Sequence, residues 1–429
     1  MTRTEPPFPL RDAHLHLPEH GEQLGSPDLS GCASVGECLA IASDAVAGGV
    51  RMRADWTVCE FARPSSWEDQ RFPTREELDG VSPDTPLVVR SFDHHSASAN
   101  SAALDRAGVK RDHPETDGSG AVWESGYARL FAAVPARTDA EERACIIDAQ
   151  RDLRGHGFVE VCDMHTTPAC ARTLVAMDAS GELDLVVRLY ATPDAFERVR
   201  AIVGDGTDRV RFGGLKLFTD GTLSGRTASM LDPYAEGLPD HPNGCPLIDD
   251  DLMRAHFRVC DGLGVDVACH AIGDAAVRRL LDLDEELATE LGRTPRGTLR
   301  IEHAQFVHPS DVERLAGRAR DTGRVVIGMQ PSHLLTDIEA VRRHTPHAES
   351  RVFALRSIVD AYAIAGLDPE LHVELGSDTP VVSPAPGDTL RGACDRRRAG
   401  MPVAEALNPG EAVGEDEAWS LYRARALPA

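Results

Sequence analysis

Short runs rich in Val, Ile and Leu alternate with longer stretches of helical periodicity along most of the chain. That alternation is the pattern of βα units feeding a parallel sheet. Eight units are predicted, with strands at residues 10–17, 157–164, 183–190, 211–218, 265–270, 298–303, 324–330 and 371–378. Clear helices fall at 139–155, from near Pro193 and from near Asp274. The predicted fold class is α/β, a (β/α)8 TIM barrel with a large insertion between strands 1 and 2.

The insertion sets the expected domain limits: 1–48 and 138–429 for the barrel, 49–137 for an inserted lid or substrate subdomain. Within it, residues 50–56 and 86–92 look like strands and 97–107 like a helix. Loops that follow barrel strands emerge on the catalytic face, so this segment and a Gly- and Pro-rich one at 222–247 are expected to border a site.

Composition narrows the functional classes. A net charge of −24 over 429 residues repels nucleic acid and anionic lipid, so neither is expected as a partner. The sequence shows no apolar run long enough for a membrane span, and Met1 to Pro9 lack the apolar core of a signal peptide. The ten cysteines include no CxxC pair, which favours reduced thiols and a cytoplasmic location.

Chemistry collects at the strand ends. Strand 1 closes on His14-Leu15-His16, whose period of two puts both imidazoles on one face. Strands 5 and 6 end in His270 and His303, and strand 8 in Asp378. Strand 4 carries Lys216, one of only two lysines among 45 cationic residues, in a chain that otherwise uses arginine. A primary amine can lose its proton and react, whereas guanidinium stays charged. Four histidines, a lysine and an aspartate at five strand ends suit divalent metal. If CO2 converts Lys216 to a carbamate, it could bridge two ions about 3.5 to 4 Å apart.

The motifs DAHLH (12–16), FDHHSASANSAAL (92–104), GLKLFTDGTLSGRTA (214–228), HAIGDAA (270–276), RIEHAQ (300–305), MQPSH (329–333) and GSDTPV (376–381) resemble the amidohydrolase superfamily. The resemblance is to the family 3 branch that contains N-substituted formamide deformylases. It implies two divalent ions, zinc being the expected metal, held by His14, His16, Lys216, His270, His303 and Asp378. Lys216 would be the carbamate bridge and Asp378 also the proton shuttle. Members of this branch usually carry a β-sandwich built from both termini. Here HxH begins at residue 14, so the sandwich is expected to be absent, and a homo-oligomer contact is one way to cover the outer helices.

The implied reaction is hydrolysis of a C–N bond in a small amide, formamide or cyclic amide by a metal-bridging hydroxide, with His14 and His16 on one ion and His270 and His303 on the other. His333, after strand 7, is a candidate to orient the carbonyl oxygen. His95 is a candidate for catalysis, and Asp93, His94 and Asn100 for substrate contact, against the plainer reading of a solvated loop or helix cap. Arg226 could bind a substrate carboxylate or form a surface salt bridge. Asp274 reads as a helix cap and Glu302 as structural. Two alternatives stay open: a mononuclear heterocycle deaminase, which has no use for Lys216, and an inactive barrel that serves as a binding protein.

Overall fold

The computed structural model describes residues 6–50, 53–92 and 96–425. Its backbone forms two units, one of Met1–Leu17 with Gln150–Ala429 and the other of Pro18–Ala149. Strand β1 (Leu10–Leu15) opens the first unit. The second unit contributes β2 (Thr57–Ala62), β3 (Leu87–Ser91), β4 (Ser96–Ala99) and β5 (Ala121–Trp123). The chain then supplies β6 (Phe158–Asp163), β7 (Val186–Ala191), β8 (Val210–Phe218), β9 (Asp266–Ala271), β10 (Leu299–His303), β11 (Val325–Met329) and β12 (Val373–Leu375).

Strands β1, β6, β7, β8, β9, β10, β11 and β12 lie side by side in that order, each hydrogen-bonded pair parallel. Helices such as Pro168–Ala179, Asp250–Leu263, Asp274–Leu291 and Pro309–Thr322 fall between them. The cylinder closes just beyond β12, where the Asp378 N–H donates to the His14 carbonyl at 2.7 Å and the His16 N–H to the Thr379 carbonyl at 2.9 Å. This is the (β/α)8 barrel that the alternating pattern predicts. Several strands are shorter than expected: β1 stops before His16, and β12 stops before Asp378, whose φ of +62° leaves strand geometry.

The second unit holds a four-stranded sheet, ordered β2-β3-β4-β5, with β2 and β3 parallel and the remaining pairs antiparallel. Alternate residues feed two cores. Val58 and Val88 pack with Trp56, Ala97 and Leu104, whereas Cys59, Leu87 and Val89 pack with Leu29, Cys38, Ala42 and Trp67. The helix Val35–Ala47 buries its apolar face on this second cluster, so the expected limits at 48/49 and 137/138 fall inside the unit. Two local expectations are corrected. The strand near residues 50–56 instead covers Thr57–Ala62, with residues 51 and 52 outside the described set. The helix expected over 97–107 begins at Ser101, because Ala97 and Ala99 pair with β3 and sheet pairing overrides alanine's helical preference. Trp56 and Trp67 are core residues, and Trp123 is partly exposed.

Inside the barrel, charge replaces the usual aliphatic filling. Buried Arg11 pairs with Glu374 and lies 3.4 Å from Glu160. Arg300 Nη1 donates to Glu374 at 2.8 Å and its Nε to Glu302 at 2.9 Å. The inward face of β11 makes room for this column at Gly328, where an added Cβ would collide with the Glu302 carboxylate. Gly328→Ala is therefore expected to destabilise the protein by about 1–3 kcal/mol through overpacking, read as a lower midpoint in urea unfolding.

Candidate metal and catalytic centre

The barrel strands bring seven of the sequence-predicted residues to one mouth. His14 is the penultimate residue of β1, and its Nδ1 lies 2.8 Å from Glu302 Oε2. Arg300 keeps Glu302 an acceptor, so Nδ1–H donates and the Nε2 lone pair faces the opening. That Nε2 is 3.5 Å from Lys216 Nζ and 3.5 Å from Asp378 Oδ1. His16 Nε2 meets the same Asp378 oxygen at 3.1 Å. Asp378 Oδ2 lies 3.6 Å from Nε2 of His333, in the first turn of the helix Pro331–His344. His303 and His270 complete the group, with ring centroids 4.4 Å apart and His303 4.8 Å from His14.

Local anchors hold these side chains. The Asp12 carboxylate, pushed up to about 7 by burial, accepts the N–H groups of His14 and Ser377 and so ties the ends of β1 and β12. Gly376 lets β12 approach, since a Cβ there would lie 2.6 Å from the His14 nitrogen. His270 Nε2 donates to the Gly221 carbonyl at 3.1 Å, which leaves the Nδ1 lone pair available. Asp220 accepts N–H groups from Ser229, Ile272 and Gly273 at 2.9, 3.1 and 2.9 Å, fastening the loop after β8 to the loop after β9. His303 and Asp378 both take positive φ, +74° and +62°. Non-glycine residues in that region cost on the order of 1–3 kcal/mol each and concentrate at functional sites.

Burial sets the electrostatics. It drives His14 and His303 well below the ordinary imidazole value and, reinforced by the Lys216 charge, lowers His270 to about 4. The same desolvation lowers Lys216, opposed by Glu302 and Asp378. Neutral imidazoles present lone pairs, the form in which histidine binds a metal. Donor atoms of His14, His16 and Asp378 lie within 4.8 Å of one another, as do those of His303, His333 and Asp378, and buried His303 Nδ1 has no hydrogen-bond partner. The donor set therefore fits divalent cations.

Other candidates sit elsewhere. Asn100 is fully buried in the second unit, where its side chain accepts from Leu87 N and Ala103 N and donates to Ser82 and Thr85 carbonyls. The expectation of substrate contact is corrected, because every polar atom of that amide serves the local frame. Arg226 donates to the Glu236 carbonyl at 2.9 Å within the loop after β8. Asp93, His94 and His95 lie outside the described residues. Asp274 is not a cap: it accepts from Leu231 N and pairs with Arg351. Glu302 does more than the structural role expected, since it orients His14. A groove of about 550 Å³ between the helices Pro309–Thr322 and Leu355–Ile364 contains none of the site residues.

The sequence profile of the amidohydrolase family matches residues 9–427. The chain belongs to the amidohydrolase family. It is 27% identical to the Bacillus subtilis (strain 168) protein YtcJ over 96% of this chain and 77% of that one. With the N-substituted formamide deformylase of Arthrobacter pascens it shares 25% identity over 82% of this chain and 66% of that enzyme. Among solved structures, an uncharacterized metal-dependent hydrolase from Pyrococcus horikoshii OT3 superposes with a TM-score of 0.79 at 24% identity. That superposition covers 97% of this chain and 79% of the other. This amidohydrolase is thus a hydrolase of carbon–nitrogen bonds that takes small molecules as substrates. Among the described residues, no helix is long and apolar enough to cross a membrane.

The buried pairing of Arg300, Glu302 and His14 yields a stability test free of metal. Glu302→Ala, stripped of ions by chelator, is expected to lose about 3–5 kcal/mol, because Arg300 and His14 Nδ1 both lose a buried partner. Urea unfolding of wild type and variant side by side reads this difference.

Proposed function

We propose that this amidohydrolase cleaves the amide, formamide or cyclic amide bond of a small molecule at a two-cation centre held by His14, His16, Lys216, His270, His303 and Asp378, zinc being the simplest choice. The observation that carries the reading is Lys216 Nζ, buried 3.5 Å from His14 Nε2 at the mouth where Asp378 also lies. When bound, such ions supply Lewis acidity and a water acidic enough to ionise near neutral pH.

The protein's own groups perform the rest. Asp378 Oδ1 lies on the side of His14 and His16, so Oδ2, on the side of His333, is the oxygen that accepts a proton from water and returns it to the departing amine nitrogen. His333, through Nε2, orients the substrate carbonyl oxygen on the side of Oδ2. Glu302 fixes the His14 ring so that its lone pair needs no reorientation. Conversion of the Lys216 ammonium to a carbamate forms an N–C bond to CO2 and releases two protons. It replaces a cation among four imidazoles with an anion, which matches a centre that must balance two dications with a single carboxylate. A mononuclear deaminase gives that lysine no task, so its position favours the binuclear reading. All ten cysteines are unbridged thiols, and on that ground the protein is assigned to a reducing compartment, the cytoplasm.

Protein prepared with zinc and bicarbonate is expected to hold close to two divalent ions per chain by elemental analysis, the complement of a two-metal hydrolase. Lys216→Ala should lose most of them together with turnover of N-acyl and N-formyl amines, and Lys216→Arg should not restore either. One ion or none in wild type would remove the binuclear scheme.

A further inference from the structure

Two rings beside the candidate centre have no part in the ligand set. Along β8, Gly214, Lys216 and Phe218 share the inward face by strand alternation. Lys216 is sealed at 1% exposure, whereas Phe218, one step nearer the mouth, is 40% exposed with its ring centroid 5.2 Å from Lys216 Nζ. His165 follows β6 and is also exposed. Its ring stands edge-on to Phe218, with centroids 6.5 Å apart and planes at 82°, and edge-on to His16 at 6.4 Å and 89°. On its other side Phe218 leans on His270 at 5.7 Å and 41°.

The rings of His16, His165, Phe218 and His270 therefore form an arc around Lys216. Its two ends belong to the proposed metal set, and its middle is a corner of two perpendicular rings open to solvent. A single exposed aromatic is ordinary on a surface, but Phe218 stands at the mouth of the candidate centre, where ligand pockets are lined mainly by apolar and aromatic side chains. A corner with one ring face and one ring edge suits a planar apolar group, since aromatic pairs favour offset-stacked and edge-to-face contacts with centroids about 4.5–7 Å apart.

We propose that Phe218 and His165 form a specificity subsite that holds a flat, apolar ring of the substrate next to its scissile amide. The inference rests on the amide-hydrolase reading above and deepens it, because it selects aryl amides over alkyl ones. The edge of His165 fixes the ring's tilt, and the face of Phe218 covers it.

Acetanilide and N-methylacetamide, which share an acyl group, serve as paired probes of the metal-replete enzyme. Wild type is expected to show a KM for acetanilide lower by about tenfold, the range a shaped apolar pocket supplies. Phe218→Leu, which keeps apolar volume and loses the flat face, and His165→Ala should each erase most of that KM ratio, with metal content measured alongside. A ratio unchanged in both variants, or absent in wild type, overturns the subsite. If neither amide is hydrolysed, the functional reading fails separately, and calorimetry with aniline against methylamine then decides the subsite. Aniline binding that is lost in Phe218→Leu sustains it, and no aniline binding, or binding unaffected by the substitution, overturns it.

Discussion

The structure depends on a column of buried charge that fills the barrel where aliphatic side chains would ordinarily pack. Arg11 and Arg300 flank Glu374, Arg300 also holds Glu302, and Glu302 holds His14. Burying charge is costly unless each group is paired and hydrogen-bonded, and a hydrophobic replacement is often as stable or more so. The column is therefore poorly explained by stability alone. What it supplies is direction: a rigid line of fixed dipoles that ends on one imidazole nitrogen and leaves the opposite nitrogen aimed at Lys216 and Asp378.

Around that axis the strand ends depart from regular geometry where the chemistry requires it. A strand offers one inward side chain every second residue, too coarse a spacing to place six donors around a small volume. His303 and Asp378 escape that limit through positive φ, while Asp12 and Asp220 absorb backbone N–H groups that the irregular segments leave unpaired. The strain and its compensation sit within a few residues of each other, so a change at either anchor is felt by the donors.

The barrel was legible because its signal is redundant. Each βα unit repeats the same alternation, and eight agreeing units tolerate errors of a few residues at individual strand ends. Residues 97–107 failed for the opposite reason. Alanine and serine fit both helix and sheet, and only the partner strand Leu87–Ser91 decides. The grouping of His14, His16, Lys216, His270, His303, His333 and Asp378 could be read because each closes or follows a predicted strand. Asn100 misled, since a motif shows residue types but not that every atom of an amide is engaged by neighbours. The charge column left a trace that went unread: Arg300 and Glu302 alternate with apolar residues on one face of a strand buried on both sides. His165 and Phe218 left none, because their meaning lies in the angle between two rings from non-adjacent strands.

Lysine usage ties the column to the chemistry. A chain that places arginine at nearly every cationic position retains Lys216 at a fully buried point of the mouth, beside Phe218 and against His14. Guanidinium there would carry five donors to a point where Lys216 Nζ meets His14 Nε2 at 3.5 Å, and it would keep its charge beside imidazoles that burial holds neutral. Arg300, buried in the same barrel, shows the contrast, because two carboxylates meet its fork and arginine is the better fit. The two positions differ in what surrounds them rather than in burial, and only that of Lys216 needs an amine that can change its charge.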